Sequence, residues 1–172
     1  MSDPMRDDSI RYEPIGVIRT PFADPNGMPI QPTGEAAARG TVEVDEEHGA
    51  GLGDLEGFSH CILLYHLHAG GDDYDLRPTP FLDDVDRGLF ATRAPSRPNP
   101  IGLSVVAIES VDGATLTVSG IDVVDGTPLL DVKPFVPRFD QPDDATAGWI
   151  EAADRTVTET RSDGRFVGDG EE

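Results

Sequence analysis

The segment Phe90–Ser104, which reads FATRAPSRPNPIGLS, contains the residues best suited to hold a charged ligand. The chain has 33 acidic and 13 basic residues, yet neither Asp nor Glu occurs within Arg87–Ile108. Arg93 and Arg97 supply guanidinium groups there, and three prolines fix backbone angles around them. A rigid, positively charged loop predicts a site for an anion or a charged small molecule. A merely stiff connection is the alternative.

A second polar set lies in the sequence GIDVVDGTPLLD, where Asp122 and Asp125 are three residues apart. Gly126 follows them and allows a backbone angle that other residues avoid. Carboxylates accept hydrogen bonds from hydroxyl and ammonium groups. The pair therefore predicts ligand contacts, although Asp125-Gly126 is also typical of a turn that only shapes its loop.

Three histidines, His60, His66 and His68, fall on one face of the apolar run Phe58–Leu67 and its end, if that run is a strand. Zinc is a possible ligand of such a group. However, His60 is far from the other two at about 3.3 Å per residue, and neither a carboxylate nor a thiol shares their spacing. Hydrogen-bonded barrel histidines are favoured, no metal is expected, and Cys61 in the same run is interpreted as a buried, inert thiol.

The elements that must position these residues are mostly short strands. Alternating or β-branched patterns predict strands at 15–20, 40–45, 58–67 (fully buried), 88–92, 103–111, 115–119 and 129–132. Asp112-Gly113 predicts a hairpin with a type I′ turn. Because the connections are too short for βαβ units, the fold class is mainly β, a small antiparallel barrel with a short C-terminal helix around Trp149 and Ile150.

The length of 172 residues suits one domain with ragged ends. We expect a disordered N-terminus at 1–10, a barrel domain at 11–140, and a partly disordered C-terminal extension at 141–172. The N-terminus lacks a signal sequence, and no apolar run approaches 18 residues. These features predict a cytoplasmic protein without a membrane partner.

The net charge of −20 would ordinarily argue against nucleic acid. The acidity is diffuse, however, with Asp twice as frequent as Glu and Lys133 as the single lysine, which indicates adaptation to high salt. We hypothesise a halophilic archaeal host. Molar salt shortens the Debye length to roughly 3 Å and screens carboxylate repulsion, so the unfolding midpoint should fall when salt is reduced to millimolar. Unchanged thermal stability would contradict the hypothesis.

Three motifs in order, PIGVIRTPF at 14–22, FATRAPSRPNPIGLS at 90–104 and DVVDGTPLLDVKPFVP at 122–137, resemble the TsaA-like (TrmO-type) family over about residues 12–140. The resemblance implies a small β-barrel that acts as a homodimer. It also implies S-adenosylmethionine as cofactor and methylation of N6 of threonylcarbamoyladenosine at position 37 of tRNA. DNA is not expected as a partner.

The resemblance also implies which residues contact the cofactor. The carboxylate of S-adenosylmethionine suits Arg93 or Arg97. Its ribose or ammonium suits Asp122 or Asp125, and its adenine suits Leu103 with Ile101. The FSH triplet ending at His60 is a family feature and implies a role in the site or in folding. The implied cofactor contacts are Pro29, Ile30, Gln31, His68, Ala69, Arg93, Leu103, Asp122, Val123, Val124 and Asp125.

Two further roles follow from the chemistry of the acceptor. The exocyclic nitrogen of the adenosine is a poor nucleophile, so a carboxylate could take its proton, and Asp125 is the candidate general base. Arg97 and Arg77 are the candidate RNA contacts. The alternatives are a non-enzymatic module that senses S-adenosylmethionine or a nucleotide, and a metal-dependent hydrolase that uses the three histidines.

Overall fold

Six β-strands form a closed antiparallel barrel in the computed structural model of the chain. The structure describes residues 9–25, 38–71 and 73–152. The order of strands around the barrel is β1-β2-β5-β4-β3-β6, and β6 pairs with β1 to close it. The strands are β1 (Gly16–Arg19), β2 (Arg39–Val44), β3 (His60–His66), β4 (Ile101–Asp112), β5 (Thr115–Ser119) and β6 (Thr127–Pro134). The predicted fold class is confirmed.

Among the described residues, helical structure is confined to short pieces. One α-helix, α1 (Pro137–Asp140), follows β6, and 3-10 turns occupy Glu46–Leu52, Leu55–Gly57, Leu89–Ala91 and Gly148–Ala152. The prediction of a strand at 88–92 is wrong. Its backbone groups bond locally instead, because Ala91 N donates to Gly88 O and Thr92 N donates to Leu89 O.

The inward positions of the strands build the core. On β3 the side chains of Cys61, Leu63 and Tyr65 are buried, while those between them are half-buried, so the prediction of a fully buried strand is wrong. Only the inner face of a barrel strand is sealed, and the outer face stays accessible. Cys61 is buried as predicted, and burial raises the pKa of its thiol to about 12, which makes it unreactive.

Three of the connections between strands meet at one end of the barrel. Because all neighbouring strands are antiparallel, β1, β3 and β5 all finish at the same end. The connections 20–38, 67–100 and 120–126 therefore leave from this end, here called the loop end. The opposite end carries the β2–β3 connection at 45–59, the tight β4–β5 hairpin and the exit from β6.

The hairpin between β4 and β5 is confirmed, but its turn differs from the predicted type. Asp112 pairs with Thr115, so the two turn residues are Gly113 and Ala114. Gly113 has φ 58°, whereas no positive φ occurs at Ala114. A positive φ at the first position alone is typical of a type II′ turn, and the predicted type I′ turn at Asp112-Gly113 is wrong.

The predicted disordered ends fall mostly outside the described residues, as do Pro29, Ile30 and Gln31 of the β1–β2 connection. Within the described ranges, none of the helices has the length and apolar character needed to cross a membrane. The predicted C-terminal helix is the single 3-10 turn Gly148–Ala152. Trp149 in it is half-buried, but Ile150 is exposed, so the prediction that Ile150 packs inward is wrong.

Candidate functional site

Asp122 occupies the β5–β6 connection at the loop end. Gly120 and Gly126 bound this connection with φ 82° and 79°, and the predicted unusual angle at Gly126 is confirmed. Ile121 and Val123 are buried on either side of Asp122 and anchor the segment in the core. These two buried side chains therefore hold the connection in place. Asp122 itself is half-buried.

A chain of hydrogen bonds links Asp122 to the interior of the barrel. Ser104 Oγ on β4 donates to Asp122 Oδ1 at 2.5 Å, and Tyr65 on β3 bonds Ser104 Oγ through its hydroxyl at 2.8 Å. Tyr65 and Ser104 are 5% and 1% exposed. Sequence reasoning missed both residues. A buried tyrosine needs a hydrogen-bond partner for its hydroxyl, which was the available signal.

The surroundings of Asp122 perturb its protonation. Burial raises the pKa of Asp122 to about 6. The hydrogen bond from Ser104, a hydrogen bond from its own backbone N–H and the positive charge of Arg93 act in the opposite direction. Asp122 is therefore ionised at pH 7 and above, and it lies within electrostatic reach of Arg93, as a shared ligand site requires.

Asp125 has different surroundings. Its Oδ1 accepts a hydrogen bond from the backbone N–H of Thr20 at 3.0 Å, and its Oδ2 lies 3.7 Å from Arg19 Nη1. Thr20 Oγ1 in turn donates to the carbonyl oxygen of Val123. Asp125 thus fastens the end of β1 to the β5–β6 connection. Its role as general base stays a prediction.

The loop that carries Arg93 is braced from within. Thr92 Oγ1 donates to Leu89 O at 2.8 Å and accepts from Ala94 N at 3.3 Å. Arg97 is half-buried, and its Nη1 donates to the carbonyl oxygens of Thr92 and Ala94 at 3.4 and 3.3 Å. Arg97 therefore stabilises this loop, and its role as an RNA contact stays a prediction.

Trp149 connects the C-terminal segment to the same loop, and sequence reasoning did not assign it to the site. Its Nε1 donates to Ala91 O at 2.8 Å, two residues before Arg93. The guanidinium carbon of Arg87 lies 5.4 Å from the centre of a Trp149 ring, and Arg87 Nε donates to Asp83 Oδ2 at 2.9 Å. This chain of contacts fixes the turn Leu89–Ala91 from outside.

Trp149→Ala should loosen this turn and lower the free energy of unfolding by about 1–3 kcal/mol, because a half-buried ring, a hydrogen bond and a cation–π contact are lost together. Chemical denaturation measures this change. Ile150→Ala is the matched control, since Ile150 is exposed and should change stability by less than about 0.5 kcal/mol. Equal effects of the two substitutions would contradict the assigned contacts.

The remaining predicted contacts also lie near the loop end, but on different surfaces. His68 and Ala69 follow β3 directly, and His68 is exposed. Leu103 and Ile101 are each 44% exposed on the outer face of β4, which alternates with the inner face that carries Ser104. A ligand that touches both Leu103 and Asp122 must therefore wrap around the rim of β4.

The three histidines do not converge. His60 begins β3 at the end opposite the loop end, where its Nδ1 lies 2.9 Å from Ser59 Oγ and its ring makes an edge contact with Phe135. This position favours a role in folding rather than in the site. Within residues 9–25, 38–71 and 73–152, no cluster of three His, Cys, Asp or Glu residues could bind a metal ion. The hydrolase alternative has no support from this geometry.

The comparisons with known proteins agree with the barrel fold. The family model for the tRNA-methyltransferase O N-terminal domain matches residues 17–141, which include all six strands except Gly16. The chain belongs to this family. The predicted membership is therefore confirmed, and the match includes every site residue discussed above except Trp149, which lies beyond it in the C-terminal segment.

Individual relatives of the tRNA-methyltransferase O family differ in length. A probable S-adenosyl-L-methionine-binding protein of Pyrococcus abyssi is 46% identical over 91% of this chain and 85% of its own length. The human tRNA (adenine(37)-N6)-methyltransferase is 37% identical over 76% of this chain and 31% of its own length. The crystal structure of TrmO from Pseudomonas aeruginosa superposes with a TM-score of 0.68 at 40% identity, covering 82% of this chain and 62% of that one.

Proposed function

We propose that this protein is an S-adenosylmethionine-dependent methyltransferase that acts on N6 of adenosine 37 in tRNA. The observation that carries the proposal is the similarity, over 76% and 84% of this chain, to human and Escherichia coli proteins named tRNA (adenine(37)-N6)-methyltransferase. Threonylcarbamoyladenosine is the proposed form of the acceptor. A tRNA substrate would place the activity in the cytoplasm.

The side chains at the loop end fit the chemical groups of S-adenosylmethionine. Arg93 offers a guanidinium for the α-carboxylate, and Asp122 offers an ionised carboxylate for ribose hydroxyls or the ammonium group. Leu103 and Ile101 expose apolar surface that suits adenine. We assign His68, Ala69, Val123 and Val124 to the same site, together with Pro29, Ile30 and Gln31 from the β1–β2 connection.

When bound, the cofactor supplies an electrophilic methyl group on a sulfonium. The contribution of the chain is mainly alignment, because an in-line displacement needs the two reactants held at a fixed distance and angle. Rigid supports serve that purpose here. The prolines and internal hydrogen bonds hold the loop around Arg93, and the two positive-φ glycines hold the connection that contains Asp122.

The acceptor nitrogen must lose a proton as its new bond forms. We propose Asp125 as the base, since it is exposed at the loop end and its carboxylate is oriented by Thr20 and Arg19. For the RNA contacts we propose Arg77 and Arg97. Arg77 is exposed, and its Nη2 donates a hydrogen bond to the carbonyl oxygen of Asp86 at 3.2 Å. Both arginines lie in the β3–β4 connection, as Arg93 does.

We also propose that the protein acts as a homodimer. Ile101 and Leu103 expose apolar side chains on the outer face of β4, beside the half-buried Ile62 and Leu64 of β3. A second copy packed against Ile62 and Leu64 would remove apolar surface from water and border the cofactor contact Leu103 without covering it. Light scattering on the purified protein in molar salt would measure the mass.

The activity test uses the purified protein in high salt with methyl-labelled S-adenosylmethionine. The first acceptor is bulk tRNA from a strain that lacks its own gene for this methyltransferase. The second is bulk tRNA from a strain that also lacks the threonylcarbamoyl modification. After digestion to nucleosides, label in N6-methylated threonylcarbamoyladenosine from the first tRNA alone supports the full proposal.

Label in plain N6-methyladenosine from both tRNAs would keep the methyltransferase and reject the proposed acceptor. Cofactor binding by calorimetry without label in either tRNA would reject tRNA methylation and favour a sensor of S-adenosylmethionine.

A further inference from the structure

Tyr65 and Ser104 are polar side chains in the interior of the barrel, and the proposed methyl transfer does not itself require them. Tyr65 lies on β3 and Ser104 on β4, and both are almost wholly buried among apolar residues. Burying two hydroxyl groups in such a core is costly unless they are hydrogen-bonded. Their mutual bond satisfies both, and the chain continues outward to Asp122.

The direction of the two hydrogen bonds follows from counting hydrogens. The single hydroxyl hydrogen of Ser104 is donated to Asp122 Oδ1, so Ser104 Oγ can only accept from Tyr65. Burial, and then the charge of Asp122, raise the pKa of Tyr65 well above its ordinary value. Tyr65 therefore keeps its proton near neutral pH and acts as the donor to Ser104.

The ring of Tyr65 is placed by its neighbour across the sheet. Tyr65 pairs with Gly102, and a Cβ atom at Gly102 would meet the ring at 2.1 Å. The absence of a side chain thus lets the ring lie close against β4 and brings its hydroxyl to Ser104, two residues further along that strand. The three polar groups come from β3, β4 and the β5–β6 connection, so the arrangement spans three separate parts of the barrel.

We propose that Tyr65 and Ser104 are positioning residues that orient the carboxylate of Asp122 and keep it ionised, so that it can accept hydrogen bonds from S-adenosylmethionine. The inference rests on the proposed function through the assignment of Asp122 to the cofactor. The two hydrogen bonds from Tyr65 through Ser104 to Asp122 are here called the relay. Because a hydrogen bond to a carboxylate favours its charged form, the relay offsets part of the rise in the pKa of Asp122 that burial causes. Arg93, the charged group facing Asp122 from the β3–β4 connection, acts in the same direction.

The consequence is a pH dependence of cofactor affinity. Affinity for S-adenosylmethionine should fall as the pH drops through the value near 6 at which Asp122 gains a proton. This fall on the acidic side of the affinity profile is here called the acidic limb. Ser104→Ala removes a donor to the carboxylate, so this acidic limb should move upward by about one pH unit. Tyr65→Phe keeps the ring on Gly102 and should move the limb in the same direction by less, since it weakens the relay without breaking it.

The experiment measures the Kd of S-adenosylmethionine by calorimetry between pH 5 and 8 for the wild type, the two single variants and their double variant. If the two hydroxyls act as one chain, the double variant should match Ser104→Ala, because Tyr65 then has no path to Asp122. Asp122→Asn should abolish the limb, which assigns the limb to Asp122 rather than to another group at the same end of the barrel.

The outcomes are distinct. A wild type that does not bind S-adenosylmethionine at any pH would overturn the proposed function. Binding with an acidic limb that stays in place in both Ser104→Ala and Tyr65→Phe, or that survives in Asp122→Asn, would overturn the relay alone. Circular dichroism identifies variants that fail to fold, and Tyr65→Phe, which keeps the buried ring, decides the question if Ser104→Ala does not fold.

Discussion

Arg93→Ala is expected to weaken binding of S-adenosylmethionine by about 30-fold or more. A guanidinium can hold a carboxylate through two parallel charge-assisted hydrogen bonds, and removing one partner of such a pair costs about 2–5 kcal/mol. Arg93→Lys should bind with intermediate affinity, because an ammonium keeps the charge but not the planar pair of donors. Calorimetry in molar salt measures both, and methyl transfer to tRNA should fall in the same order.

The control for this experiment is Arg138→Ala, on α1 at the end of the barrel opposite the loop end. Like Arg93→Ala, this substitution removes one positive charge from the protein, but it should leave the Kd of S-adenosylmethionine unchanged. Arg93 is one of the groups that lower the pKa of Asp122, so its removal should raise that pKa. Measurements at pH 8 therefore keep Asp122 ionised in every variant. A Kd within threefold of wild type in Arg93→Ala would reassign Arg93, and a selective loss of tRNA affinity would reassign it to RNA.

Sequence patterns located the strands because each strand buries one face. Alternation at 40–45 and 115–119 reproduces β2 and β5 nearly residue for residue, and the buried positions on both strands follow the predicted period. The pattern at 88–92 failed for a tertiary reason. In a closed barrel β3 and β4 are already paired on both edges, so no partner is available for an additional strand between them.

The site was only partly accessible from the sequence. The residue types around Arg93 and Asp122 indicated a ligand with both charges, but they did not show that the two connections meet. That result depends on the antiparallel order of the strands, which brings 67–100 and 120–126 to one end. Tyr65 and Ser104 are 39 residues apart in the chain, and only the register of β3 against β4 brings their hydroxyl groups together.

Gly102→Ala is expected to lower the free energy of unfolding by about 2–3 kcal/mol. The added Cβ would lie 2.1 Å from Cε2 and 2.6 Å from Cζ of Tyr65, and the ring is 5% exposed, so it has little space into which to move. Overpacking of a tight core costs about 1–3 kcal/mol. Displacement of the ring would also separate its hydroxyl from Ser104, so cofactor affinity should fall near pH 6. Denaturant unfolding and calorimetry measure the two effects.

A double-mutant cycle identifies the cause of that loss. In a Tyr65→Ala background, Gly102→Ala should cost almost nothing, because the ring that would clash is absent. Gly57→Ala is the matched control, since nothing lies within 4 Å of its added Cβ and its change in stability should stay within about 0.5 kcal/mol. If Gly102→Ala were equally destabilising with and without the ring, the strain would lie in the backbone of β4, and the glycine would not be the feature that seats Tyr65 beside Ser104.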